Sequence, residues 1–136
     1  MGLKEIVLNW INKAKNDLKT AKDEIVTNEP ATDTICFHSQ QCVEKCLKAY
    51  LVYHQKYFRK THNIAELIEL CKEIDKDFDN LYNLKVEKLT FHAVEIRYPD
   101  EFYLPSLEEA KEAVKIAEKV LDFIIKKLGK ENFFIN

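Results

Sequence analysis

Asp17 stands where a packing helix calls for an apolar residue. Leu3, Val7, Trp10, Ala14, Asp17, Ala21 and Ile25 recur at alternating steps of four and three, the spacing of a buried seam. A carboxylate inside such a seam is costly unless a cation or hydrogen-bond donor meets it. Further on, His38, Gln41, Lys45 and Lys48 follow at steps of three, four and three, with Glu44 beside them. On a helix these residues form one polar stripe. Two arrangements fit the pattern: a solvated face with one structural salt bridge, or a polar pocket between helices one, two and four that Asp17 and His38 support. The spacing leaves open whether Asp17 meets Lys45 or Lys48.

A second group is Glu95-Ile96-Arg97-Tyr98-Pro99-Asp100. A guanidinium beside an aromatic and a carboxylate suits phosphate clamping or base stacking. An arginine at a helix end equally suits capping of the last carbonyls. His38, Cys42 and Cys46 share a face at steps of four, but Cys42 and Cys46 occupy apolar positions and no CxxC pair exists, so no metal site is expected. Only Cys36 is near a helix start, and no base is identifiable for it, so no catalytic residue is assigned. His62 and Asn63 precede a further helix and suit a hydrogen-bonded histidine and an N-cap.

The elements that must position these groups follow from periodicity. A first helix covers the seam above and breaks at Asn28-Glu29-Pro30. A second is expected from about Thr32 to about Tyr57, burying Ile35, Cys36, Ser39, Cys42, Val43, Cys46, Leu47 and Tyr50. A short third opens at Asn63, with Glu66 placed to close a capping box. A fourth is expected from about Asn80 to about Glu95 on a seam of Tyr82, Val86, Leu89 and Ala93, ending before Pro99. The fifth opens at Ser106, with Glu109 three residues on, and Gly129 is placed to stop it. No period-two alternation and no hairpin signal occur. The expectation is an all-α fold, an antiparallel up-and-down four-helix bundle plus one short helix.

Composition narrows the chemistry. Both glycines, Gly2 and Gly129, lie at the chain ends. Glycine-rich phosphate loops need glycine inside the chain, so side chains must hold any nucleotide. The net charge is -2, so a nucleic-acid or anionic-membrane partner would need a local patch. No apolar run reaches the ~18 residues of a membrane span, and no signal peptide is expected. A reducing, cytoplasmic setting is therefore expected for the four cysteines.

Taken together, several segments resemble the HEPN (higher eukaryote and prokaryote nucleotide-binding) domain family. They are Trp10, Ala14, Asp17, Leu18 and Ala21; the stretch from Phe37 to Leu51; Thr61-His62-Asn63-Ile64 with Leu67; and Arg97-Tyr98-Pro99-Asp100. The resemblance spans nearly the whole chain. It implies a domain over residues 1–129 with a tail at 130–136, and a bundle that dimerises around a polar cleft. It also implies ligand-binding roles for Gln41, Glu44, Lys45, Lys48, Arg97, Tyr98 and Asp100. Family members of this size often act beside a minimal nucleotidyltransferase in two-component, toxin–antitoxin-like systems. RNA-cleaving members carry an arginine followed, after four to six residues, by a histidine. No histidine follows Arg97 here, so the general acid/base pair for RNA cleavage is not supplied in that way. The expectation is a nucleotide-binding homodimeric module, without a resident cofactor, that works with such a partner. The alternatives are a ribonuclease using His38, His62 or His92, and a purely structural helical assembly. In the last, Phe133, Phe134 and Ile135 either form an interface or pack on their own bundle.

Overall fold

The computed structural model describes residues 2–93 and 103–134. Among these, four α-helices and two 3-10 segments occur and no strand. The helix α1 spans Leu3–Ile25 and buries Val7, Ile11, Ala14, Asp17, Leu18 and Ala21, the expected face with Asp17 inside it. The central helix α2 spans Thr32–Tyr53 and packs against α1, against the last helix and against the elements between them. Its core residues include Ile35, Val43, Leu47, Tyr50 and Leu51, all fully buried. Burying a side chain of that size contributes about 1.5–3 kcal/mol, so α2 is the keel of the fold.

The helix α2 ends four residues earlier than its periodicity predicts. Gln55 takes φ 53°, its N–H donates to the Val52 carbonyl, and the Lys56 N–H donates to Leu51. That pair of bonds is a Schellman stop. The helix α3, Ile64–Lys72, starts as expected, with the Asn63 side chain accepting from the Glu66 N–H. The box stays half closed, because the Glu66 carboxylate bonds Arg59 instead and the Asn63 N–H donates to Thr61 Oγ1.

The expected fourth long helix is not found over residues 80–92. Two 3-10 segments, Lys76–Leu84 and Val86–His92, take its place. The reason lies in the spacing. Phe78, Leu81 and Leu84 are three apart, as are Val86 and Leu89, and a step of three matches the 3.0-residue turn of a 3-10 helix. Lys85, at φ 60°, resets the phase between them. Asp77, Asp79, Asn80 and Asn83 weaken the α alternative, since their side chains compete for backbone groups. Thr90 of the second segment also accepts the Ile64 N–H, capping α3 across the fold.

The last helix, α4, spans Leu107–Lys130, with Ser106 accepting from the Glu109 N–H. It does not stop at Gly129. Asn132 takes φ 62°, with its N–H on Gly129 and the Phe133 N–H on Leu128, so asparagine supplies the left-handed residue. Phe133 is buried and meets Tyr53 edge-on at 5.2 Å, whereas Phe134 is 45% exposed. Lys4 lies over the Phe133 ring and Lys22 meets Glu118, so α1 and α4 run antiparallel. No helix among the described residues is long and apolar enough to cross a membrane.

Candidate functional site

The polar stripe of α2 is met by α1 on one side and by the irregular segment at residues 58–62 on the other. Asp17 on α1 is 8% exposed. Its Oδ1 lies 2.7 Å from His38 Nδ1, and its Oδ2 accepts from Lys45 Nζ at 2.5 Å. Lys45, not Lys48, is thus the partner of Asp17. This pairing makes α1 and α2 antiparallel, because Trp10, seven residues before Asp17, lies near Lys48.

Glu44 is more enclosed, at 4% exposed. Its Oε2 accepts from Lys48 Nζ at 2.8 Å. Its Oε1 lies 2.8 Å from His62 Nδ1 and accepts from Gln40 Nε2 at 3.1 Å. The Gln40 amide also donates to the His62 carbonyl at 3.3 Å, and Gln41 donates to Gln40 Oε1 at 2.7 Å. The Lys48 ammonium sits 5.9 Å from the Trp10 ring centre and 5.8 Å from that of Phe58, within cation–π range.

The stripe therefore carries the same constellation twice: a carboxylate joining one lysine ammonium to one imidazole through Nδ1. Burial pushes the Glu44 carboxyl up, but hydrogen bonds from Lys48, His62 and Gln40 outweigh it and keep it below the usual carboxylate range. An ionised carboxylate only accepts. A neutral His62 ring then carries its proton on Nδ1 and keeps Nε2 as an acceptor. The geometry at Asp17 and His38 imposes the same tautomer.

Of the residues singled out in the sequence, Asp17, His38 and Lys45 come together, and Glu44 and Lys48 join beside them. Gln41 is tied in through Gln40. Arg97, Tyr98 and Asp100 lie outside the described residues, as does Ile135 of the tail. Gln40 and the long-range bond from His62 to Glu44 were not read from the sequence. Gln40 repeats the amide of Gln41 but sits off the stripe, so only its full burial marks it as a network member. His92 is elsewhere, 3.5 Å from Glu109; burial lowers its pKa, against the opposing charge of Glu109. All four cysteines are free and buried. Burial pushes the Cys36 thiol up to about 12, which keeps it protonated and poorly nucleophilic. Among the described residues, no three His, Cys, Asp or Glu side chains are grouped so as to bind a metal ion.

The depressed pKa of Glu44 has a thermodynamic consequence. A carboxyl whose folded pKa lies below its ordinary 4.5 contributes stability above that value and loses it as pH falls through the folded one. Asp75, which Lys127 and the Asp77 N–H also hold low against burial, adds to the same acid window. Urea midpoints measured from pH 7 down to about pH 3 are expected to fall more steeply in the wild type than in Glu44→Gln. Equal acid slopes would mean that Glu44 is not ionised and paired in solution.

Residues 7–128 match the HEPN domain family. A Methanocaldococcus jannaschii protein named "Putative toxin MJ1304" is 37% identical over an alignment 138 positions long that covers 91% of this chain and 88% of that protein. The crystal structure of an archaeal HEPN homologue superposes with a TM-score of 0.70 at 24% identity, over 90% of this chain and 97% of that one. At that identity the likeness speaks for the fold.

Proposed function

We propose that this chain, which belongs to the HEPN domain family, is a homodimeric nucleotide-binding module of a toxin-like two-component system, working with a minimal nucleotidyltransferase. The reading is carried by one observation: two buried carboxylates, two lysines and two imidazoles interlock along the polar stripe of α2. Desolvating that many charges is expensive, and replacing them with apolar residues would often stabilise a fold. Glu44 is held below the usual carboxylate range, and a perturbed group interlocked with others in this way is commoner at functional sites. The relative's toxin name supports the two-component setting.

The roles divide by exposure. Lys48, with 8% of its side chain exposed and Glu44 on its ammonium, holds Glu44 in place rather than meeting phosphate. Lys45, 22% exposed, is the more accessible lysine, so exchanging Asp17 for a phosphate oxygen is less costly there. Arg97 is the proposed principal phosphate contact, with Tyr98 against the base. Gln41, Glu44, Asp17 and Asp100 orient the cations, and His38 supports Asp17.

Calorimetric titration of ATP, GTP and AMP tests this directly. One of the three is expected to bind, and Arg97→Ala is expected to weaken that binding at least about tenfold, equivalent to ~1.4 kcal/mol, with an unchanged thermal midpoint. Equal affinity in the variant rejects the placement of the ligand at Arg97. Binding of none of the three, with or without a nucleotidyltransferase, rejects the nucleotide.

A further inference from the structure

The second 3-10 segment and the first turns of α4 enclose a cleft of about 540 Å³, on residues that the proposed nucleotide site does not use. Its base is apolar: Leu89, Ala113 and Ile116 line it while only 4%, 2% and 6% exposed. Charges of opposite sign line it from the two elements. Lys85 and Lys88 belong to the 3-10 side, where the Lys88 N–H donates to the Lys85 carbonyl. Such a turn sets side chains three apart over one another. Glu109 and Glu112 belong to α4, where the same spacing puts them on one face. Lys85, Lys88 and Glu112 are exposed and form no ion pair among the described residues. Glu109 is held by Tyr103, which donates to Oε1 at 2.5 Å, and by His92, whose Nε2 is 3.5 Å from Oε2. Burial holds the His92 pKa below 6.5, so at neutral pH the ring leaves the charge of Glu109 uncompensated. Tyr103 also stands edge-on to Phe91 at 5.3 Å, and Phe91, 60% exposed, lines the cleft as well. Two ammonium groups and two carboxylates thus share one apolar cleft with no ion pair between its walls.

We propose that this cleft binds a free α-amino acid with a bulky apolar side chain. Its carboxylate meets Lys85 and Lys88, its ammonium meets Glu112 and Glu109, and its side chain covers Leu89, Ala113 and Ile116. The charges select the class. A ligand of one sign satisfies one wall and is repelled by the other, which discriminates against it. A neutral apolar ligand takes water from both walls and returns no hydrogen bond. A zwitterion gives each wall a charge-assisted hydrogen bond. The volume lies within the roughly 300–1,000 Å³ of small-molecule sites, which pair an apolar lining with a few convergent polar groups.

The test is an amide NMR titration of the full chain with L-phenylalanine, carried to about 10 mM. Phenylalanine is expected to bind with a Kd of about 1 mM or tighter. It should move the signals of residues 84–92 and 109–116 and leave those of residues 3–18 in place. Phenylalaninamide lacks the carboxylate and phenylpropanoate lacks the ammonium, and each is expected to bind at least about tenfold more weakly. A variant carrying Lys85→Asn and Lys88→Ala is expected to weaken phenylalanine about tenfold and leave phenylalaninamide unchanged. Asparagine is chosen because it tolerates the left-handed conformation that Lys85 holds at φ 60°. Glu112→Gln is expected to weaken phenylalanine and leave phenylpropanoate unchanged. All three substituted side chains are exposed, so the fold survives their loss. Absence of shifts in the wild type overturns the proposal, as do shifts centred outside the cleft. Equal affinity for phenylalanine and the doubly blocked N-acetyl-phenylalaninamide overturns it too, and would make the cleft an apolar groove for a chain segment.

Discussion

A Lys48→Ala variant is expected to lose about 3–5 kcal/mol of folding stability, the cost of leaving one partner of a buried ion pair alone. The Lys48 and Glu44 side chains are 8% and 5% exposed and 2.8 Å apart. Truncation removes the ammonium from Glu44 and opens a gap beside Trp10 and Phe58. Gln40 and His62 remain on the carboxylate, but neither brings a fixed positive charge. Urea unfolding followed by circular dichroism measures the loss. A double variant, Glu44→Gln with Lys48→Met, is expected to recover more than half of it, because it removes both charges and restores apolar volume. Lys19→Ala is the control: its pair with Asp23 lies in solvent, at 74% and 65% exposed, and its removal is expected to leave the midpoint unchanged. If Lys48→Ala unfolded at the same urea concentration as Lys19→Ala, the Glu44–Lys48 pair would be a solvated contact. The oriented imidazole of His62 would then lose its foundation.

The dependence of His62 on Lys48 separates what was legible in the sequence from what was not. Asp17 announced itself because a charged residue interrupted a regular seam, and its partners lay on a stripe of helical spacing. Both signals are local. The bond between His62 and Glu44 joins residues 18 apart, across a chain reversal no periodicity encodes. His62 therefore read as a hydrogen-bonded histidine beside the Asn63 cap, with no partner named for its ring. The ends of α2 and α4 failed for a related reason. Gln55 and Asn132 take the left-handed conformation, and only asparagine hints at it by residue type. Gly129, with two soft dihedrals and no side chain, looked like the better stop but remains helical. At residues 76–92 burial was partly legible and period was not. Val86 and Leu89 were placed on the buried side and lie there. The step of three between apolar residues was read as the shorter of the two α-helical steps, when its repetition was the signal. Arg97, Tyr98 and Asp100 rest on the resemblance and on the calorimetric test.

Phe78→Ala is expected to show whether the 3-10 run is a structural wall or a surface strap, and the buried position of the ring argues for the wall. Phe78 is fully buried, with its centre 4.6 Å from that of Tyr50 on α2 and 5.0 Å from that of Phe123 on α4. It therefore links α2 to α4 through the 3-10 run. Truncating a buried phenylalanine costs about 3–5 kcal/mol, and for a chain of this length the thermal midpoint should fall by roughly 10–20 °C. Tyr50 gives the loss a second consequence. Its hydroxyl reaches Glu131, which also meets His54, so a shifted Tyr50 ring loosens the joint between the ends of α2 and α4. Amide exchange is expected to speed up at residues 50–54 and 128–133 in the variant, beyond what the lost global stability explains. A midpoint within about 2 °C of the wild type would mean that residues 76–84 peel away without disturbing the core. The return run of the bundle would then be an appendage. Unchanged protection at 128–133 despite a large fall in midpoint would leave Phe78 in the core but remove its link to the clasp at Glu131.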